Sequence, residues 1–406
     1  MTKIKNHIKE HDQKLVKIVK DFSMLGTLSW QKSIMKNFLN DANKGKLKLP
    51  KVEYENKDYT SKIQEIENYL IALGEDEHPA INFLRDTANS YKDGYRIING
   101  AGTQDVTEFS KKLYGSPKDI VDGYKWSSLK MAHKFLKIID EYKYTIKEEA
   151  RIYTASEFRV KLKKIINESI DPILDPVDVK IDSKISAKAA STSEGIKVRI
   201  GARFSKNDLH QLFHHEVMIH ALTRINGKKQ PVLSILEFSS PRTTATQEGL
   251  ATFAEYINMS MELTRLKRIV LRIVAIDMAE NGADFIEIFK FFCTHGQTHE
   301  ESYFSAMRIF RGGFAEGGIV FYKDVVYLKG LIEINSFLKT AVHKGIIHDI
   351  SLLFCGKLTT NDVLIFKSIL EEGLISEPAY MPEWAKDASI LASHLAINDL
   401  TGKFSD

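Results

Sequence analysis

Apolar residues recur at helical spacing along most of this chain. One amphipathic pattern runs through residues 11–40, and similar patterns predict helices over residues 60–73, 106–114 and 126–167. Turn residues, mainly glycine and proline, separate these segments. The sequence therefore predicts a chain that begins with a series of helices.

The spacing changes in the middle of the chain. Apolar and polar residues alternate in residues 177–181 and 196–200, which predicts two short strands of a small sheet. Helical spacing returns in residues 205–227 and from Thr246 to about residue 282. Two short apolar runs between residues 319 and 328 fit either strands or a buried helix. The fold class predicted is α+β and predominantly helical.

The composition is that of a globular protein. The chain has 406 residues, of which 43% are hydrophobic, and this is enough to bury a large core. We predict two regions, an N-terminal helical region over residues 1–125 and a second domain over residues 126–406 that holds the chemical motifs described below. No apolar run is long enough for a signal peptide or a membrane span, so we expect a cytoplasmic protein without a membrane partner.

Charge and cysteine content narrow the chemistry. The first 50 residues hold eleven lysines and four acidic residues, in a chain whose net charge is +4. Lysines at helical spacing are typical of a solvated helix face, so we predict no nucleic-acid partner. The two cysteines form no CxxC pair, which argues against a disulfide framework and a cysteine-ligated metal. Any metal would use His, Asp or Glu.

Three histidines and one glutamate lie within residues 214–220, HHEVMIH. In the zinc-peptidase pattern HExxH, two histidines four residues apart share a helix face, and the glutamate acts as the base. Here His215 and His220 are five residues apart, which in a regular helix is roughly 140° past a full turn. A π-bulge between them would return both rings to one face. Hydrogen-bonded histidines without a metal remain the alternative from this helix alone.

Glu248 supplies the third candidate ligand. It lies in residues 246–251, TQEGLA, near the start of the next predicted helix. Catalytic zinc commonly takes three protein ligands, and His, His, Glu is one established set. Gly249 costs helix propensity, about 1 kcal/mol against alanine, and its absent side chain would allow the metal-binding helix to approach closely.

Two other histidine pairs have the regular spacing of four residues. The first pair is His210 and His214, and Gln211 follows its first histidine. The second pair is His295 and His299, and Gly296 follows its first histidine. Neither pair has a glutamate where the HExxH pattern requires it. We rank both pairs below His215 and His220 as metal ligands.

Several motifs together resemble a known family. They are the HExxxH segment, TQEGLA, and the motifs NGKKQP at 226–231, LYGSP at 113–117, RIFRGG at 308–313 and KDVVYLKG at 323–330. In these the chain resembles the QEGLA-motif family (DUF1704), the flavohaemoglobin expression-modulating proteins, which is related to the microtubule-associated tyrosine carboxypeptidases. The resemblance covers most of the chain from about residue 100 onward.

The resemblance implies a zincin-like metalloprotease domain with a small sheet and an HExxxH active-site helix, preceded by N-terminal helices. It implies that His215, His220 and Glu248 bind Zn²⁺ and that Glu216 activates water. The implied reaction is the release of a C-terminal Tyr- or Phe-type residue. A zinc-dependent endopeptidase or aminopeptidase and a non-catalytic zincin-fold regulatory or binding protein remain as alternatives.

A carboxypeptidase must also bind the end of its substrate, here the C-terminus of a peptide or protein. Arginine suits a terminal carboxylate because it donates two parallel hydrogen bonds, and Arg308, Arg311 and Lys323 are the candidates. Tyr327 is the candidate donor to a developing oxyanion. The strand at 196–200 could pair with an extended substrate. Structural salt bridges or core packing are equally open roles for the four side chains.

Overall fold

The computed structural model describes residues 2–403 apart from 56–57, 146–148, 184 and 186. Within these residues the chain is mostly helical and contains one three-stranded and one two-stranded sheet. The predicted class, α+β and predominantly helical, is confirmed. None of the helices in this part of the chain has the length and apolar character needed to cross a membrane.

Helices make up the first 170 residues. They are α1 (Thr2–Val19), α2 (Met24–Thr27), α3 (Lys32–Ala42), α4 (Thr60–Leu73), α5 (Pro79–Asn99), α6 (Asp105–Tyr114), α7 (Ser128–Glu141) and α8 (Ala155–Ser169). The prediction for residues 60–73 is confirmed, and α4 ends at Gly74 with φ 60°. Residues 126–167 form two helices, and α8 starts afresh because Thr154 and Glu157 form a capping box.

Five short strands precede the histidine cluster, one of them before α8 and four after it. They are β1 (Tyr153–Thr154), β2 (Val179–Asp182), β3 (Ala189–Thr192), β4 (Gly195–Arg199) and β5 (Arg203–Phe204). β1 pairs with β5, and the other three form a sheet in the order β2-β4-β3, with β4 parallel to β2 and antiparallel to β3. Both predicted strands exist, as β2 and β4.

The predicted place of the strand at 196–200 was wrong. We expected it to border the cleft and to accept an extended substrate, but β4 is the central strand. Its backbone groups bond to β2 on one side and to β3 on the other, so it has no edge for another chain. The edge strand on the side of the cleft is β3.

The second half is again helical. Its helices are α9 (Lys206–Leu212), a π-helix (Phe213–Ala221), α10 (Leu222–Lys228), α11 (Thr244–Ile257), α12 (Leu263–Glu280), α13 (Phe285–Thr294), α14 (His299–Ile309), α15 (Val326–His343), α16 (Asp362–Glu371), α17 (Glu383–Lys386) and α18 (Ala388–Lys403). Short 3₁₀ helices precede α11 and α15, at Pro241–Thr243 and Tyr322–Val325. The apolar runs near residues 319–328 therefore lead into a buried helix.

The helix predicted from Thr246 to about residue 282 is two helices. The chain turns at Met259, whose φ is 55°, and the backbone amides of Ser260 and Met261 both donate to the carbonyl oxygen of Glu255. These bonds cap α11 and redirect the chain into α12. The periodicity alone did not show this turn.

Two clusters of buried apolar residues hold the protein together. The larger cluster extends from Ile8 to Leu395 and includes residues on both sides of the predicted boundary at residue 125. The smaller cluster packs the sheet and α8 against the π-helix, with Phe158 stacked on Phe204 at 4.0 Å between ring centroids. The division into residues 1–125 and 126–406 stays a prediction.

Gly249 does allow two helices to approach, but the partner is not the helix that carries His215 and His220. A Cβ atom at Gly249 would collide with the carbonyl group of Gly330, and one at Gly330 would collide with the carbonyl oxygen of Ala245. α11 and α15 therefore touch backbone to backbone. This contact places Glu248 of α11 beside Tyr327 of α15.

Candidate active site

The HExxxH segment lies in the π-helix Phe213–Ala221. Ser205 and Asp208 form the predicted capping box at the start of α9, and the helix continues into the π-helix without a break. The rings of His215 and His220 lie edge to face, 4.9 Å apart between centroids. The predicted π geometry between residues 215 and 220 is confirmed, and it extends over more residues than a single-turn bulge.

Glu248 joins the two histidines. Its Oε2 atom lies 3.4 Å from Nε2 of His215 and 3.7 Å from Nε2 of His220. Ligands at about 2.0–2.1 Å from a tetrahedral zinc ion are roughly 3.4 Å from one another. The donor set and its spacing therefore fit zinc. Among the described residues, His215, His220 and Glu248 form the group of three metal-ligand side chains, of the types His, Cys, Asp or Glu, whose ligand atoms all lie within 4.8 Å of one another.

Glu255 holds the other side of the His215 ring. Its Oε1 atom lies 2.6 Å from Nδ1 of His215, and its carboxylate accepts hydrogen bonds from Nε and Nη2 of Arg265 at 3.2 and 3.1 Å. Burial alone would raise the pKa of Glu255, but Arg265 and His215 lower it to about 2. Our sequence reasoning missed this residue, although it follows Glu248 by two helical turns on the same face.

Glu216 is held at the edge of β3. Its Oε2 atom accepts a hydrogen bond from the backbone amide of Ser191 at 2.7 Å, and its Oε1 atom lies 4.0 Å from Nε2 of His215. The side chain is nearly buried, but it lines the cavity described below. Glu216 therefore has one oxygen fixed by the sheet and the other beside the candidate metal ligands.

The second oxygen of Glu248 faces two of the other predicted residues. Oε1 accepts hydrogen bonds from Nζ of Lys323 at 3.0 Å and from the Tyr327 hydroxyl at 3.2 Å. Burial would raise the pKa of Glu248, but Lys323 and the two histidines lower it well below its ordinary value. Glu248 is therefore a carboxylate, and only Oε2 faces the histidines.

The three predicted cations differ in their partners. Arg308 donates two parallel hydrogen bonds to Asp324, at 2.6 and 2.7 Å, and a third to the Tyr327 hydroxyl at 3.2 Å. Lys323 pairs with Glu248. Arg311 is 4% exposed and lines the same cavity, but within the described chain its Nε atom has no hydrogen-bond partner and its guanidinium forms no ion pair. Burial and the neighbouring Arg308 lower the pKa of Arg311 to about 10.

A cavity of about 740 Å³ opens onto these residues. Its walls come from β3, the loop before α11, the Tyr322–Val325 region and, unexpectedly, residues 19–29. A second cavity of about 320 Å³ lies next to it and shares His215, Glu216 and Tyr327 in its lining. His215 and Glu216 therefore line both cavities, and His220 and Glu248 line the larger one.

Lys357 is a further buried cation that the sequence did not reveal. Its Nζ atom donates to the backbone carbonyl of His220 at 2.9 Å and to Oε1 of Gln247 at 2.7 Å. It thereby links the π-helix to α11 next to two of the three candidate ligands. Burial and, to a lesser extent, Arg224 lower the pKa of Lys357 to about 7.

The competing histidine pairs lie outside the metal-type cluster. Burial and His210 lower the pKa of His214 to about 4, so His214 is neutral at neutral pH. His295 bonds through Nδ1 to the carbonyl oxygen of Phe291 at 2.7 Å, and His299 to Oδ1 of Asn43 at 2.8 Å. These contacts agree with the low rank given to both pairs.

The fold and the site together indicate the class of protein. It is a mostly helical α+β protein with a candidate centre for metal-dependent hydrolysis. Residues 36–401 match the sequence model of the microtubule-associated tyrosine carboxypeptidases, and the chain belongs to that family. The family is described as carboxypeptidases, which are peptidase-type hydrolases. The predicted relation to these enzymes is confirmed, and the QEGLA name is compatible with it. Comparison with individual curated proteins finds no match.

Proposed function

We propose that this protein is a zinc metallocarboxypeptidase that releases a Tyr- or Phe-type residue from the C-terminus of a peptide or protein. The observation that carries the proposal is the position of Glu216 beside the cluster of His215, His220 and Glu248. In this cluster, Oε2 of Glu248 lies 3.4 Å from Nε2 of His215 and 3.7 Å from Nε2 of His220. A structural zinc site needs no base among its ligands, so the buried Glu216 favours a catalytic site. Family membership supports the C-terminal specificity.

His215, His220 and Glu248 would hold the ion. When bound, zinc would supply a Lewis acid that lowers the pKa of a coordinated water. Glu216 takes a proton from the attacking water through the oxygen that faces the histidines. The amide of Ser191 holds the other oxygen at 2.7 Å, which keeps the carboxylate in place during the transfer. Glu216 then gives the proton to the leaving amine.

Arg311 is the residue that we assign to the terminal carboxylate. A buried guanidinium without an anionic partner is costly, and an incoming carboxylate would provide that partner. Arg308 and Lys323 already have carboxylate partners in Asp324 and Glu248. We propose that they act indirectly, because they fix Asp324, Glu248 and Tyr327 around the site.

Tyr327 is proposed as the donor to the oxyanion. Its hydroxyl accepts a hydrogen bond from Arg308 and donates one to Glu248, both at 3.2 Å. In this proposal its single proton turns from Glu248 to the oxyanion when the oxyanion forms. Four cationic groups lie 5.1–6.0 Å from the centre of its ring. Such a surrounding positive field favours a developing negative charge nearby.

The substrate backbone is proposed to lie along β3. This strand pairs with β4 on one side only, and residues 189–193 line the cavity on the other. An extended peptide could add to this edge and place its scissile bond beside Glu216. We propose on these grounds that the domain is zincin-like, with β3 as its substrate-binding strand and the π-helix as its active-site helix.

The test combines metal analysis with peptide hydrolysis. We expect one equivalent of zinc in the wild-type protein and in Glu216→Gln, since Glu216 is not a ligand. Wild type should release the last residue of peptides ending in Tyr or Phe, and Glu216→Gln should be at least about 10²-fold slower. The exposed Glu371→Gln on α16 is the matched control and should behave as wild type.

Amidated peptides separate the alternatives. A carboxypeptidase that needs the terminal carboxylate should not cleave a peptide ending in Tyr-amide. Cleavage of that peptide at an internal bond or at its N-terminal residue would establish the endopeptidase or aminopeptidase alternative instead. Zinc binding without cleavage of any peptide would favour the non-catalytic regulatory protein.

A further inference from the structure

Residues 19–29, which connect α1 to α3 and include α2, form one wall of the larger cavity. We call this segment the N-terminal wall. The cavity is the one that contains Glu216, His220 and Glu248. The family match covers residues 36–401, and the N-terminal wall precedes the matched region.

The N-terminal wall is firmly packed on the rest of the protein. The ring of Phe22 lies edge to face against Tyr91 and Tyr95 of α5, at 5.1 and 5.0 Å between centroids. A Cβ atom at Gly94 would lie 2.6 Å from this ring, so the glycine leaves the space that Phe22 fills. Met24 and Leu28 are buried. These contacts hold the wall in one position.

A buried carboxylate attaches α1 to another wall of the cavity. Asp12 accepts hydrogen bonds from the backbone amides of Ser234 and Ile235, at 2.9 and 3.0 Å, and from the Ser234 hydroxyl. These residues begin the 3₁₀ helix Ser234–Glu237, and the cavity-lining loop before α11 follows directly. α1 and this loop are thus fixed to each other.

Leu28 of the N-terminal wall lies close to the backbone next to Arg311. A Cβ atom at Gly312, the residue after Arg311, would lie 3.4 Å from Cδ2 of Leu28. Tyr91 and Tyr114 line the same cavity. Leu25 also lines it and is 37% exposed, although it is a large apolar side chain. Leu25 therefore offers the cavity an apolar surface.

We propose that the N-terminal wall determines which C-terminal side chains the cavity accepts, and that Leu25 is its specificity-determining contact. The proposal rests on the proposed function, because it takes Arg311 as the site of the terminal carboxylate. The side chain of the terminal residue then lies against Leu25 of the N-terminal wall, which Tyr91 supports through Phe22. An aromatic or aliphatic side chain fits this surface, and a charged one would lose its hydration there without a partner.

The experiment compares Leu25→Trp and Leu25→Ala with wild type on peptides that differ only in their last residue, Tyr, Phe, Leu or Ala. Tryptophan fills the pocket, so we expect the ratio of kcat/KM for Tyr over Ala to fall about tenfold. Alanine enlarges the pocket and removes apolar contact, so the ratio for Leu over Tyr should fall. Ile71→Trp and Ile71→Ala are matched controls, because Ile71 is 77% exposed on α4 and lies outside the cavity lining.

The same peptides also test binding without catalysis. Titration calorimetry with Glu216→Gln, alone and combined with each Leu25 variant, measures the affinity for each terminal residue. The role of the N-terminal wall would be overturned if the Leu25 variants, with normal zinc content, ranked the four terminal residues as wild type does. This applies to the ranking by kcat/KM and to the ranking by affinity. Wild type that cleaves none of the peptides would contradict the proposed function, while a Leu25-dependent order of affinity would still support the wall.

Discussion

Oε1 of Glu255 lies 2.6 Å from Nδ1 of His215, one of the candidate metal ligands. The bond fixes the proton on Nδ1 and directs Nε2 of His215 towards Glu248 and His220. Arg265 in turn fixes Glu255 with two hydrogen bonds. The orientation of one candidate ligand thus depends on the charged pair of Glu255 and Arg265, neither of which is a candidate ligand.

Glu255→Gln should weaken metal binding about 10- to 100-fold, because the amide is a weaker acceptor for the Nδ1 proton. The measurement is competition for zinc against a chelator of known affinity. Loss of the carboxylate also leaves Arg265 buried without an anionic partner. The free energy of unfolding should therefore fall by about 3–5 kcal/mol. Glu371→Gln serves as the exposed control. An unchanged zinc affinity would remove Glu255 from the metal site.

Arg311→Met should raise KM for peptides with a free C-terminus and leave kcat less affected. A hydrogen bond to a charged group contributes about 1.5–3 kcal/mol, which corresponds to roughly 10- to 150-fold in KM. Arg311→Lys keeps the charge but cannot donate two parallel hydrogen bonds, so its KM should be intermediate. Arg159→Met, on the exposed face of α8, is the control. Equal KM values for all four proteins would show that another group binds the carboxylate.

Lys357 should make the stability of the metal-free protein depend on pH. The pKa of this lysine is about 7 in the folded protein and 10.5 when unperturbed, so between these values the unfolded chain binds more protons. The free energy of unfolding should therefore rise with pH in this window, by at most about 1.4 kcal/mol per pH unit.

Urea unfolding of wild type and Lys357→Met between about pH 7 and pH 9 measures this contribution. We expect the difference in the free energy of unfolding between the two proteins to grow with pH, because the variant lacks the titrating group. The exposed Lys137→Met on α7 should leave the slope as in wild type. Parallel pH profiles for wild type and Lys357→Met would contradict the lowered pKa.

Gly249→Ala should destabilise the protein although alanine favours helices. The new Cβ atom would meet the carbonyl group of Gly330, and such overpacking costs about 1–3 kcal/mol. Alanine gains about 1 kcal/mol over glycine in helix propensity, which is smaller than most of this overpacking cost. Since Glu248 would move with the backbone, zinc affinity should fall as well. Thermal unfolding and chelator competition measure the two effects, and a higher Tm would refute the close-contact explanation.

The sequence predicted the centre of the site better than its surroundings. The spacing of His215 and His220 was sufficient to predict π geometry, because only a local change in helical pitch brings both rings together. Glu255 and Lys357 could not be recognised in the same way. Each has an ordinary place in its own helix or loop, and its role arises from a neighbour that the tertiary fold supplies.

The prediction of which strand borders the cleft failed for a related reason. Residues 189–192 read Ala-Ala-Ser-Thr, with little of the β-branched and aromatic character that marks strands. β3 is nevertheless a strand, because β4 and the π-helix fix its position. Alternation found the central strand but could not show which edge faced the cleft, because the order of strands in a sheet depends on contacts distant in sequence.

The backbone contact between Gly249 and Gly330 also bears on how the protein is made. A chain growing on the ribosome presents His215, His220 and Glu248 about eighty residues of synthesis before Gly330 appears, and until then Glu248 lacks Lys323 and Tyr327 as partners. Contacts between segments so distant in sequence form late in folding. The three candidate ligands should therefore reach their full affinity for the proposed metal only after α15 has docked, so the metal would bind late in the maturation of the protein.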